Sequence, residues 1–190
     1  NITEDDIAKS FEVLKSYNPR INPREVDVTH EVIFSEATAH WQGKFELSDV
    51  INKFYESMNL TACIYPETLD FLDKLKAEGY IIAALTDVAI GMPDELHKSY
   101  FPELLPYFDM YVSSITCGYR KPNPKGLSDI AENFGVAPSE MIMIGDEEKD
   151  IKTAKRFGCK SVLIDRRDRN VDFGQDYMVT DLNGLWKVLK

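Results

Sequence analysis

The chain has 190 residues, 44% of them apolar, which is enough for one core with at most a small appendage. Its 22 Lys and Arg stand against 32 Asp and Glu, and the resulting net charge of −10 excludes a nucleic-acid backbone as the main partner, because phosphate tracks need a cationic face. No apolar run approaches the roughly 20 residues of a membrane span, no signal peptide is visible, and Cys63, Cys117 and Cys159 are too far apart for a C-x-x-C pair, which leaves a reducing cytoplasm as the simplest location.

Residues 1 to about 60 read as helices. Thr3 and Asp6 form a capping-box pair ahead of Ile7, Phe11 and Leu14, an apolar stripe at helical spacing that Asn18-Pro19 ends. A second helix is expected over Glu25 to Trp41, stopping near Gly43, with Val26–Val28 ambiguous between helix and strand. A third starts near Ser48 and buries Val50, Ile51, Phe54, Tyr55 and Met58.

After Tyr65-Pro66 the rhythm changes to alternating helix and strand. Glu67–Glu78 is a helix with Leu69, Leu72 and Leu75 inward, stopped by Gly79. Tyr80–Leu85 (YIIAAL) is a continuous apolar run, as expected of a strand covered on both faces. A helix from about Pro93 to Leu104 follows, then a short strand over Met110–Ser113, a helix over Pro124–Phe134 and a buried strand at Met141–Ile144. Ile151–Phe157 is helical, Ser161–Ile164 and Tyr177–Val179 are strands, and Leu182–Leu189 closes the chain as a helix. Strand-then-helix repetition with short loops predicts a parallel, doubly wound α/β sheet.

Ligands of such sheets bind beyond the carboxyl ends of the strands. Thr86-Asp87 follows the first strand, Gly118-Tyr119-Arg120-Lys121-Pro122 follows the second, and Gly145-Asp146-Glu147-Glu148-Lys149-Asp150 follows the third. A hydroxyl, a lysine and an acidic cluster therefore converge on one edge. Asp146 and Asp150 are four positions apart around a helix start, and two carboxylates about 4 Å apart repel by about 4 kcal/mol at an effective dielectric near 20. Such a pair calls for a shared proton or a cation, and open oxygen ligands suit Mg²⁺ completed by water and phosphate. The competing role, stabilisation of the helix N-terminus, suits Glu147 and Glu148 better. Lys121 precedes proline and so has an extended backbone that can hold its ammonium at a phosphate oxygen. Arg120 is a weaker candidate for that task. The Thr86 hydroxyl and the backbone N–H groups after it can cradle phosphate or cap a helix, and Asp87 reads more as a cap, with a backbone N–H that can reach an anion. His30, His40 and His97 have no metal-ligand spacing.

YIIAALTD, GYRKPNP and IGDEEKD, in that order, resemble the motifs of the haloacid dehalogenase-like hydrolase superfamily, and YPETLDFLDKLKAEGY is also similar to it. The resemblance implies a Rossmann-like core over residues 65–190 and a small all-helical cap over residues 1–64. It implies a Mg²⁺-dependent phosphatase acting on a small phosphorylated metabolite through a phospho-aspartyl intermediate. Thr86, Asp87 and Lys121 would then bind the phosphoryl group, with Thr86 and Lys121 catalytic, and Asp146 and Asp150 would hold the metal. The superfamily's first motif, an apolar strand ending in D-x-D, has no match here: Asp5-Asp6 falls in a helical pattern and Asp27 follows no buried strand. Residue 1 is Asn, so the nucleophile is expected ahead of it; these 190 residues alone are then expected to be inactive, with a central strand missing from the sheet. Two other readings fit less of the pattern: a non-catalytic phosphate-binding or interaction module of the same fold, and a receiver-like phosphoacceptor, whose acidic residues would precede the Thr and Lys. Substrate identity and oligomeric state have no signature in the sequence.

Overall fold

A computed structural model describes residues 2–189. Its first third is helical: α1 (Glu4–Ser16), α2 (His30–Thr38) and α3 (Leu47–Ser57). The capping box at α1 forms as expected, with Thr3 N donating to Asp6 Oδ2 at 2.9 Å and Asp6 N to Thr3 Oγ1 at 3.2 Å. The apolar stripe does not turn inward as a unit, because Ile7 and Phe11 stay exposed. The buried position of α1 is Ser10, whose hydroxyl donates to Ala37 O (2.6 Å) and accepts from Trp41 Nε1 (2.8 Å).

The second helix is shorter than expected at both ends. Residues 25–29 are not helical, and Val26 forms an antiparallel bridge with Tyr119, flanked by Asp27 N to Gly118 O (2.9 Å) and Arg120 N to Glu25 O (2.8 Å). The β-branched Val26-Asp27-Val28 stretch thus spends its backbone groups on a partner 90-odd residues away rather than on a helix turn. Ile33, Phe34, Ile51 and Tyr55 of α2 and α3 share one apolar cluster with Val88 and Met92, so the helical third is packed onto the segment that follows the first strand.

The remainder alternates as predicted: α4 (Thr68–Ala77), β1 (Ala83–Thr86), α5 (Asp94–Lys98), β2 (Met110–Ser113), α6 (Ser114–Cys117), α7 (Lys125–Phe134), β3 (Ile142–Gly145), α8 (Glu148–Phe157), β4 (Lys160–Ile164), β5 (Tyr177–Val179) and α9 (Trp186–Leu189). Three elements are shorter than the sequence suggested. Tyr80–Ile82 lies outside β1, and the Ile82 N–H is taken by the Asp109 side chain (2.8 Å). α5 stops at Lys98 because Pro102 disfavours helical backbone in the residue before it. At the end of the chain, Asn183 and Gly184 are poor helix formers, and a 3-10 turn over Asn183–Leu185 replaces the first half of the expected helix.

All strand pairs are parallel, but they form two sheets among the described residues, β1–β2 and β3–β4–β5. Among the described residues, neither β1 nor β3 has a strand partner on its second edge. An apolar cavity of about 470 Å³, lined by Ala83 and Leu85 of β1 and by Ile142, Met143 and Ile144 of β3, separates the two sheets. β1 is consequently half-buried rather than covered on both faces.

Candidate active site

The carboxyl ends of β1 and β3 and the loop after α6 meet at one place. Lys121 connects them: its Nζ lies 2.8 Å from Asp150 Oδ1 and donates to Leu85 O at 3.3 Å, next to Thr86. Its backbone N–H donates to Asp87 Oδ1 (3.0 Å). The Asp150 carboxylate is only a few per cent exposed. Its Oδ2 accepts from Asp146 N (3.1 Å) and Glu147 N (3.0 Å), which fixes the turn into α8. Gly145 permits this arrangement, since a methyl group there would overlap the Asp150 carboxylate. Lys121, Asp146, Asp150 and the end of β1 are therefore brought together.

The individual roles differ from the sequence expectations in four places. No helix begins at Thr86 or Asp87; the next turn, Ala89–Gly91, has Val88 as its preceding residue, so neither side chain is a helix cap. The Asp87 carboxylate instead ties down the Lys121 backbone and pairs with Lys149 Nζ at 2.9 Å. Asp150 combines the capping role with its ion pair to Lys121 rather than simply facing Asp146. Arg120 is not a free phosphate ligand. Its guanidinium, 6% exposed, binds the fully buried Asp27 (2.6 Å) and Val88 O (2.9 Å), bolting residues 25–28 to the core. Glu147 and Glu148 stand at the start of α8, where they pair with Lys149 and Lys152 respectively.

The histidines have ordinary partners: Gly91 O for His30, Asp6 O for His40 and the Tyr111 hydroxyl for His97. All three cysteines are free, and no described helix is long and apolar enough to cross a membrane.

Above this edge lies a cleft of about 860 Å³ between the helical third and the sheet, lined on one side by Asn18–Arg20, Pro23–Glu25 and Met58 and on the other by Asp87–Ile90, Arg120–Pro122, Glu147 and Lys149. Thr86 and Asp146 do not line it themselves, but their chain neighbours Asp87 and Glu147 do. The aromatic residues Tyr17, Trp41, Phe45 and Tyr55 are absent from its wall.

Lys149 was not recognisable as a site residue within an acidic run. Burial disfavours its ammonium, but its hydrogen bonds to Glu147 and Asp87 outweigh that and hold its pKa above the ordinary lysine range. Lys149 in turn holds the Glu147 carboxyl below its ordinary range. Arg169 was also missed. It donates to Asp146 O (2.8 Å) and to the buried Asp165 (2.8 Å), so it braces the turn that carries Asp146.

Among the described residues, no three His, Cys, Asp or Glu side chains cluster closely enough to form a metal cage. The carboxylates at this edge are the exposed one of Asp146 and that of Asp150, whose buried Oδ1 pairs with the Lys121 ammonium at 2.8 Å. That set fits a hard cation held by one or two carboxylates and completed by water and phosphate, and it does not fit a fully protein-ligated ion.

A parallel α/β core with a helical third packed beside the carboxyl ends of its strands, and a lysine and two aspartates gathered there, defines a Rossmann-like protein. The chain belongs to the haloacid dehalogenase-like hydrolase family, whose model matches residues 3–158. It is 30% identical over 160 residues to a phosphoserine phosphatase of Thermus thermophilus, a match covering 82% of this chain and 63% of that protein. It is 31% identical over 101 residues to a phosphoglycolate phosphatase of Aliivibrio fischeri, covering 53% of this chain and 44% of that one. The chain thus spans roughly half the length of these relatives. Among solved structures it is similar to a haloacid dehalogenase-like phosphatase of Thermococcus onnurineus, with TM-score 0.63 and 26% identity over 84% of this chain and 69% of that one.

Proposed function

We propose that this chain is the cap and most of the core of a Mg²⁺-dependent phosphatase that hydrolyses a small phosphorylated metabolite. The observation that carries the reading is the meeting of Lys121 Nζ with Asp150 Oδ1 and with the backbone at the end of β1, on the edge where this fold binds ligands. Phosphoryl transfer needs positioning and charge neutralisation more than covalent help from the protein. In this reading the Thr86 hydroxyl and the Asp87 backbone N–H hold the phosphoryl oxygens, and the Lys121 ammonium balances their charge. Asp146 and Asp150 would hold Mg²⁺, which supplies further positive charge at the phosphate. Relatives named for phosphoserine and phosphoglycolate support a small phosphorylated substrate. The free cysteines suit a reducing cytoplasm.

The aspartate nucleophile belongs, in this reading, to a strand outside these 190 residues that seats in the apolar slot between β1 and β3 and joins the two sheets. Its carboxylate would attack phosphorus as the P–O bond to the alcohol breaks, forming a phospho-aspartyl anhydride that water cleaves to inorganic phosphate and the free carboxylate. The test is hydrolysis of an aryl phosphate by a form extended at its N-terminus, with and without Mg²⁺. Turnover that Asp146→Asn abolishes is the expected result. Full activity in that variant refutes the assignment, and phosphate binding without turnover in the extended protein would mark a non-catalytic module instead.

A further inference from the structure

We propose that Arg169 is a positioning residue for the metal carboxylate: it fixes the backbone on which Asp146 stands and thereby sets how tightly the site holds Mg²⁺. The inference rests on the phosphatase reading and deepens it, because it concerns the cation that this reading requires at Asp146 and Asp150. The first observation is that side chains grip the main chain on both sides of Asp146. Its N–H and that of Glu147 donate to Asp150 Oδ2 at 3.1 and 3.0 Å, and its carbonyl oxygen accepts from Arg169 Nη2 at 2.8 Å. The Asp146 side chain itself is exposed, so its direction is set through this backbone rather than by packing around the carboxylate.

The loop after β4 is wound so as to deliver this guanidinium. Asp165, the residue after β4, is buried, and its N–H donates to Val179 O of β5 at 2.8 Å, which ties it to the sheet. Its Oδ1 accepts from Arg169 Nε at 2.8 Å and its Oδ2 from Asn170 N at 3.0 Å, so the loop closes around one anchored carboxylate. Asp168 and Asn170, on either side of Arg169, both take left-handed backbone, with φ +49° and +51°. Asp and Asn tolerate that conformation better than most residues with a side chain. A continuous line of contacts therefore runs from the β4–β5 sheet through Asp165 and Arg169 to the carbonyl of Asp146.

Charge alone would make Arg169 a poor neighbour, because a guanidinium beside a cation site opposes the cation. The ion pair with Asp165 offsets that charge, and the rigid fork of the guanidinium lets one face meet the carboxylate while another N–H is aimed at Asp146. What reaches the site is then a directed donor. Outer hydrogen bonds that orient a metal ligand are worth about 10–100-fold in metal affinity. The two effects have opposite signs: if only charge mattered, removing Arg169 would tighten Mg²⁺ binding, whereas loss of orientation weakens it.

The test is titration calorimetry of the N-terminally extended protein with Mg²⁺, together with the Mg²⁺ dependence of aryl phosphate hydrolysis. Arg169→Met should raise the Kd for Mg²⁺ about tenfold or more. Arg169→Lys, which keeps the charge but not the fork, should recover only part of that loss, and Arg167→Gln, which removes a charge from the same exposed loop, should leave the Kd unchanged. The Mg²⁺ concentration for half-maximal turnover should rise with the Kd in Arg169→Met, while KM for the aryl phosphate at saturating Mg²⁺ stays the same. An unchanged or tighter Kd in Arg169→Met, or an equal loss in Arg167→Gln, would overturn the proposal while leaving the phosphatase reading in place. A lower kcat with an unshifted Mg²⁺ requirement would show a merely structural arginine and overturn it equally. Failure of the wild type to bind Mg²⁺ would overturn both.

Discussion

Asp150 is the residue at which fold and site are most tightly joined, and its removal has a calculable cost. Asp150→Ala deletes the acceptor of two backbone N–H groups, at 3.1 and 3.0 Å, that open α8. Loss of a capping acceptor costs about 0.5–2 kcal/mol. The same change leaves Lys121, whose side chain is 11% exposed, without the carboxylate 2.8 Å away, and orphaning one member of a buried pair costs about 3–5 kcal/mol. Lys121 keeps its bond to Leu85 O, which places the expected total near the lower end, about 3–4 kcal/mol. Asp150→Asn preserves an acceptor for the cap and removes only the charge, so it should fall between wild type and alanine. Urea unfolding of the three proteins at one pH, with the m-value checked for constancy, measures both differences. An Asp150→Ala midpoint equivalent to less than about 0.5 kcal/mol, the scale of an ordinary surface change, would show that this carboxylate neither caps α8 nor holds Lys121.

Further outcomes follow from neighbouring contacts. Gly145→Ala should displace the Asp150 carboxylate and reproduce much of the Asp150→Ala loss, detectable as faster amide exchange at Asp146 and Glu147. Arg120→Met should destabilise the protein by about 3 kcal/mol or more in denaturant titration, because it leaves Asp27 buried with only the more distant Arg24. Gly91→Ala should also destabilise, since Gly91 has φ +67° and an added Cβ would lie 2.6 Å from the His30 backbone nitrogen; thermal unfolding checks this. Asp176 is held below the ordinary carboxylate range by hydrogen bonds from the Ser161 hydroxyl and backbone N–H. A depressed folded pKa gives stability that is present above the unfolded value near 4 and lost as pH falls through the folded one. The wild-type melting temperature should therefore drop below about pH 4, and more steeply than that of Asp176→Asn.

The sequence exposed the site better than it exposed the connections behind it. Thr86, Lys121 and Asp146 each follow an apolar run or a turn signal, so the strand-end rule found them one at a time. Asp27 and Arg120 lie far apart in the chain, and no periodicity relates them. From the sequence alone Arg120 reads as a candidate phosphate ligand, whereas its partner is the buried Asp27 carboxylate of the helical third. The same limit applies to Val26, whose bridge depends on the distant Tyr119. At α1 the apolar period was legible, but its direction was not. Ser10 faces Ala37 and Trp41 through hydrogen bonds, and Ile7 and Phe11 remain on the outside.

The division of the sheet also bears on handling the molecule. β1 and β3 each carry a border of backbone donors and acceptors that no neighbouring strand satisfies among the described residues. Such borders recruit strands from any source, including other copies of the same chain. Concentrated solutions of these 190 residues should therefore self-associate edge to edge, and a short extended peptide rich in valine and isoleucine should compete with that assembly and keep the molecules apart.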